Sequence, residues 1–214
     1  RELFANISHD LRTPLTAMRG YLDTMALQIG DTGSDRGTFL AIASRHCDRL
    51  NRLVDQIFAL ARLEAGGMRL RPERVSLAEL AQDICGKYQL SAEKFRVSLQ
   101  LDIDPGVSDV TADIGLIETV LENLLDNAMR HSAPGTQIVI GVSAVAGQVR
   151  TAISDQGSGI EAADLQRIRE RFEVGNGGRT GLGLAIVARV LALHGSALEI
   201  SSTPGKGTIA AFAL

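Results

Sequence analysis

Large apolar side chains fall at Phe4, Ile7, Leu11, Met18, Leu22, Met25 and Ile29, with Leu15 close by. This seven-residue repeat predicts a helix packed in a bundle seam. Gly30-Asp31-Thr32-Gly33-Ser34 then breaks the pattern with turn-forming residues. A second repeat follows at Leu40, Ala43, Cys47, Leu50, Val54, Ile57 and Ala61, so the two stretches are expected to form an antiparallel helical hairpin. Each helix is about 40 Å long, and a lone pair cannot cover both apolar stripes. The economical solution is a homodimer whose two hairpins close a four-helix bundle, the alternative being a hairpin packed on the rest of its own chain.

Beyond the hairpin the periodicity changes. Gly66 and Gly67 end the second helix, and Met68 to Val75, with basic residues and Pro72, has the composition of a linker that bends. The expected organisation is therefore a hairpin over 1–67, a linker over 68–75 and a second domain over 76–214. Ser76 with Glu79 is a capping box, opening a helix from Leu77 to roughly Leu90. Arg96 to Ile103 alternates as a half-buried strand does, Pro105-Gly106 turns the chain, and a short strand lies near Val110. A helix is expected from Ile114 to His131, then a hairpin of Gln137–Val145 and Val149–Asp155 about Gly147. Helices over Ala163–Arg171 and Leu182–His194 flank a glycine-rich loop. A last hairpin, Ala197–Ser202 and Thr208–Leu214, turns at Pro204-Gly205-Lys206-Gly207. Helices mixed with mostly antiparallel strands make the second domain an α/β two-layer sandwich.

Composition narrows the chemistry. With 214 residues and 45% hydrophobic content the chain can bury a sizeable core, and it reads as soluble and globular. A net charge of −3 gives no electrostatic reason to expect nucleic acid or a membrane surface as partner. No apolar run is long enough to span a bilayer, and the start at Arg1-Glu2-Leu3, already inside a helical repeat, suggests a fragment of something longer. Cys47 and Cys85 sit in apolar helical patterns and read as small core residues. The four histidines are too scattered for a metal cluster.

One histidine stands apart. At ~100° per residue, His9 is turned ~200° from both Ile7 and Leu11, so its imidazole is expected off the seam, with Thr13 one turn along the same face. Asp10 beside it offers a carboxylate that holds one ring proton and leaves the other nitrogen nucleophilic. Pro14 removes the partner of the Asp10 carbonyl and loosens the turn. A His-Asp pair on a helix is by itself more often a solvated face than a nucleophile.

Further along, three stretches suit a nucleotide. Asn123, Asn127 and Arg130 share a polar stripe opposite Leu121, Leu124, Leu125 and Ala128, and a carboxamide oxygen is a suitable hard ligand for Mg²⁺. Asparagine is a poor helix former, so two of them mid-helix call for a reason. Asp155 ends an apolar strand before Gln156-Gly157-Ser158-Gly159, where an acceptor-only carboxylate would receive the exocyclic amine of adenine. Thr180-Gly181-Leu182-Gly183 opens a helix whose first backbone N–H groups form a phosphate cradle. The spacing matches neither a Walker A loop nor a Rossmann turn.

The string Ser8-His9-Asp10-Leu11-Arg12-Thr13-Pro14-Leu15 resembles the phosphoacceptor motif of the sensor histidine kinases of two-component signalling. The Asn stretch, Asp-x-Gly-x-Gly, Phe172 and Gly-Leu-Gly-Leu, ending in Pro-Gly-Lys-Gly-Thr, resemble in order the N, G1, F and G2 boxes of the same family's ATP-binding domain. That fold is shared with the ATPases of gyrase, certain chaperones and mismatch-repair proteins. The resemblance implies ATP as phosphoryl donor, His9 as acceptor, Asp10 as base, and Thr13 serving dephosphorylation of a response regulator partner. It further implies Asn127 as Mg²⁺ ligand with Asn123 beside it, Arg130 on phosphate, His131 near the nucleotide, and Asp155 with Gly157 and Gly159 on adenine. Family habit also implies a membrane receptor whose catalytic part faces the cytoplasm. The lid departs from the pattern: Arg169 stands where a Phe is usual, Glu173 replaces a common aromatic, the loop to Thr180 is short, and Ser196 replaces a frequent glycine. A mobile lid that holds nucleotide loosely is expected. Two rival readings follow: a kinase-like scaffold without efficient autophosphorylation, and an ATPase clamp that labels no histidine.

Overall fold

A computed structural model describes residues 15–20, 35–64, 69–174 and 182–214. Residues 15–20 are helical, inside the first predicted helix. Helix α1 (Asp35–Glu64) is the second arm of the predicted hairpin. One side of it, through Leu60 and Leu63, is buried in the main core, with Leu53 and Ile57 packed alongside. The other side is bare: Leu40 is 58% exposed and Phe58 62%. Cys47 is exposed as well, against the sequence expectation of a core position, because it is on this uncovered face rather than the side turned to the core. Cys85 is half-buried, and burial pushes its thiol up from the ordinary range.

Strand β1 (Glu73–Val75) falls in the stretch read as a bending linker and pairs antiparallel with β3 (Val110–Ala112). The Arg71 backbone N–H also donates to Asp113 Oδ2 at 3.0 Å. Helix α2 (Leu77–Phe95) starts where the capping box predicts, Ser76 Oγ accepting from the Glu79 N–H at 3.2 Å. It runs five residues past the expected end, because Ser91-Ala92-Glu93-Lys94-Phe95 holds no breaker and Ala92 is buried. Arg96, at φ 58°, closes it with its N–H on the Ala92 and Glu93 carbonyls. Strand β2 (Ser98–Ile103) therefore begins two residues later than expected.

Helix α3 (Ile114–His131) has the predicted bounds, with Asp113 as N-cap. Strands β4 (Gln137–Val145) and β5 (Gln148–Ser154) form the first predicted hairpin, turning through Ala146 and Gly147, both at positive φ. Helices α4 (Ala162–Val174) and α5 (Leu182–Leu193) follow, and β6 (Glu199–Thr203) with β7 (Gly207–Ala213) makes the last hairpin. The five-stranded sheet has the order β2-β4-β5-β7-β6. All its pairs are antiparallel except β2 with β4, which is parallel because a helix, α3, intervenes between them.

Helices α2, α3 and α5 cover one face. Ile138, Ile140 and Val142 of β4, Ile153 of β5 and Phe212 of β7 meet Leu121, Leu125 and Met129 of α3 there, all nearly inaccessible to solvent. At 25 cal/mol per Å², burying each such side chain contributes about 1.5–3 kcal/mol. The architecture is the expected two-layer sandwich with a helical arm. No helix among the described residues is long and apolar enough to cross a membrane.

Candidate nucleotide-binding site

A cleft of about 450 Å³ opens where α3, the end of β5 and the β6–β7 hairpin converge. Asn127, His131, Asp155 and Gly159, all predicted from sequence, line it, with Ile153, Leu184 and Ala210 as apolar wall. A larger groove of about 690 Å³ beside β6 holds none of the predicted side chains.

Asp155 sits one residue past β5 and is buried. Its Oδ1 accepts from the Gly157 N–H at 2.8 Å and the Thr208 N–H at 3.2 Å, an Asx turn joined to the next strand. Both bonds use one oxygen, so Oδ2 is the one left for a donor arriving in the cleft. The turn is possible only with glycine. A Cβ at Gly157 would lie 2.3 Å from the His131 carbonyl oxygen, and one at Gly159, whose φ is +68°, would lie 2.1 Å from that of Thr203. Gly207 is as tightly placed, its Cβ position 1.9 Å from the Asp155 carbonyl oxygen. The Ser158 N–H donates to the His131 carbonyl, tying the turn to the end of α3. Ser202 Oγ, accepting from the Ile160 N–H at 2.9 Å and donating to the Gly207 carbonyl at 2.8 Å, ties it to β6.

Helix α3 brings Asn127 and His131 to the cleft one turn apart, while Arg130 is exposed and off its wall. Asn123, one turn before Asn127, also lies off the wall. Its Nδ2 donates to the Thr119 carbonyl at 2.8 Å and its Oδ1 accepts from Gln56 Nε2 of α1 at 3.3 Å. Leu182 is buried at the start of α5, and Gly183 faces Asn123 so closely that a Cβ would stand 2.7 Å from its Oδ1. A chain atom is thus kept out of the space where first-turn N–H groups of α5 can meet an anion.

His9, Asp10, Thr13 and Gly181 lie outside the described residues, as do the side chains of Arg169, Phe172 and Glu173 and the loop to Thr180. Three contributors escaped the sequence reading. Thr208 follows the Pro-Gly-Lys-Gly turn and could have been read from it. Ser202 and Gln56 gave no local signal, since each meets the site only through tertiary packing.

Residues 1–66 match the His Kinase A (phospho-acceptor) domain, and residues 112–214 match the histidine kinase-, DNA gyrase B-, and HSP90-like ATPase family. The probable sensor histidine kinase TcrY of Mycobacterium tuberculosis is 34% identical over 96% of this chain, which spans 44% of that protein's length. ShkA, solved in complex with AMPPNP, is 28% identical over 99% of this chain and 45% of that one, with a TM-score of 0.69. ThkA, solved in complex with the response regulator protein TrrA, shares the fold at 21% identity over 100% of this chain and 60% of that one, with a TM-score of 0.78. A phospho-acceptor domain followed by an ATPase domain distinguishes the kinases from the other users of this fold, and the chain belongs to the sensor histidine kinases of two-component signalling.

Proposed function

We propose that residues 1–67 form a dimerisation and phosphotransfer hairpin, 68–75 a linker and 76–214 an ATP-binding domain, and that together they transfer the γ-phosphoryl group of ATP to His9. The observation that carries this reading is Asp155, a buried carboxylate with Oδ1 fixed by two backbone N–H groups on the wall it shares with Asn127. A carboxylate only accepts, so it draws in the amine of adenine and repels the carbonyl of guanine. The AMPPNP bound to ShkA supports a triphosphate in the same family fold.

In the proposed reaction one ring nitrogen of His9 attacks the γ-phosphorus in line. The bond from that phosphorus to the β,γ-bridging oxygen breaks, and ADP leaves with the electron pair. Asp10 holds the proton on the opposite ring nitrogen and takes it as the phosphoramidate forms. Arg130 and the backbone N–H groups of 181–183 hold phosphate charge, so that catalysis is mainly positioning. Mg²⁺, for which the Asn127 carboxamide on the cleft wall is a suitable oxygen ligand, would neutralise phosphate charge when bound. The phosphoryl group then passes to an aspartate of a response regulator, and Thr13 orients water for the reverse signal. The regulator bound to ThkA supports such a partner. The proposed setting is the cytoplasmic face of a membrane receptor.

Incubation with radiolabelled Mg-ATP tests the assignment. The wild-type chain should take up acid-labile, base-stable label, and His9→Gln should take up none while binding ATP nearly as well. Equal labelling of the variant refutes His9 as acceptor. A wild-type chain that binds ATP and takes up no label is the scaffold instead.

A further inference from the structure

The helical arm and the nucleotide domain meet at two polar contacts beside the buried Leu60 and Leu63. Gln56 lies half-buried on α1, one turn before the buried Leu60. Its Nε2 donates to Asn123 Oδ1, and the same nitrogen stands 3.4 Å from where a Cβ of Gly183 would be. Further along the same two helices, Arg189 Nε of α5 donates to the Leu63 carbonyl at 3.5 Å, capping the last turn of α1. Gln56 is thereby held over the N-terminus of α5, and both halves of the Asn123 carboxamide are occupied, one by Gln56 and one by the Thr119 carbonyl.

Resting on the nucleotide reading above, we propose that Gln56 is a positioning residue that closes the phosphate end of the site from the helical arm. Its N–H holds Asn123 against Gly183, so a phosphate chain reaches Asn123 and the first N–H groups of α5 only by displacing it. The position of the contact makes the effect selective. Asp155 and Gly159 line the cleft, and neither Gln56 nor Asn123 is part of that wall. A nucleoside without phosphates therefore binds whether or not Gln56 is docked, whereas a triphosphate competes with it. Bound triphosphate in turn releases the arm at this point, which couples nucleotide binding to the freedom of the domain to move along its hairpin.

The test uses the full chain, with calorimetric titration of Mg-AMPPNP and of adenosine into wild type, Gln56→Met and Gln56→Ala. Methionine keeps the length and packing and removes the donor; alanine removes both. A part-buried hydrogen bond of ordinary strength corresponds to an affinity change of about three- to tenfold. Both variants should bind Mg-AMPPNP tighter by that factor and adenosine as the wild type does. Unchanged Mg-AMPPNP affinity in both variants overturns the proposal, and weaker binding overturns it by making Gln56 a phosphate ligand. An equal gain for adenosine overturns it too, since the arm would then act by general packing. Failure of every form to bind Mg-AMPPNP sinks the nucleotide reading along with it.

Discussion

Asp155 owes its place to two different kinds of information. Its position at the end of an apolar run, before Gly157 and Gly159, is local and could be read from the chain. The second donor to its Oδ1, the N–H of Thr208, comes from a strand 53 residues away, and the Thr203 carbonyl that crowds Gly159 comes from the other strand of the same hairpin. Local order announced a turn carrying a carboxylate, and only packing against the β6–β7 hairpin made it a rigid acceptor. Asp155→Asn keeps the shape and loses the charge, so ATP binding should weaken by about 1–3 kcal/mol. Calorimetry that finds ATP affinity unchanged removes Asp155 from the purine contact.

At the scale of elements, the helices and hairpins followed from periodicity, caps and turn residues, while ends without a strong breaker drifted, as at Phe95. The α2–α3 packing also built something no pattern announced. Tyr88 of α2 is pushed well above its ordinary range, first by burial and then by the carboxylates of Asp126 and Glu122 on α3. Its hydroxyl stays protonated in the native state at a pH where the unfolded chain, ionising near 10, has released the proton. The resulting stability is whole below about pH 10 and is lost as pH rises above it. Lys87, raised by its hydrogen bonds to Glu122 and Glu118, works in the same direction on the exposed side of that turn. Urea denaturation at pH 8 and pH 11 should therefore show a smaller alkaline loss for Tyr88→Phe than for wild type. Equal losses would place the alkaline sensitivity elsewhere.

For the molecule as a whole, the described chain leaves one helix half-covered. The side of α1 bearing Leu60 and Leu63 is satisfied by the core it meets, and the side bearing Leu40, Val54 and Phe58 is not. Large hydrophobes left exposed on one side of a helix mark an association surface, and the phospho-acceptor match over residues 1–66 supports a second copy as the partner. Sedimentation at micromolar concentration should give a dimer for wild type and a smaller species for Phe58→Asp, which sets a charge in the seam. A monomeric wild type would remove the four-helix bundle.

Helix and strand types, their order, the glycine turns and the histidine string belong to the sequence by itself. Each depends on side chains within a few residues of one another, where sterics and hydrogen bonding act locally. Tertiary structure decided the parallel pairing of β2 with β4, the strand β1 inside the supposed linker, and the seating of α1 on α5 that brings Gln56 to Asn123. These contacts join residues far apart in the chain, and which apolar face meets which is settled by the shape and burial of the assembled core, a quantity no short stretch contains.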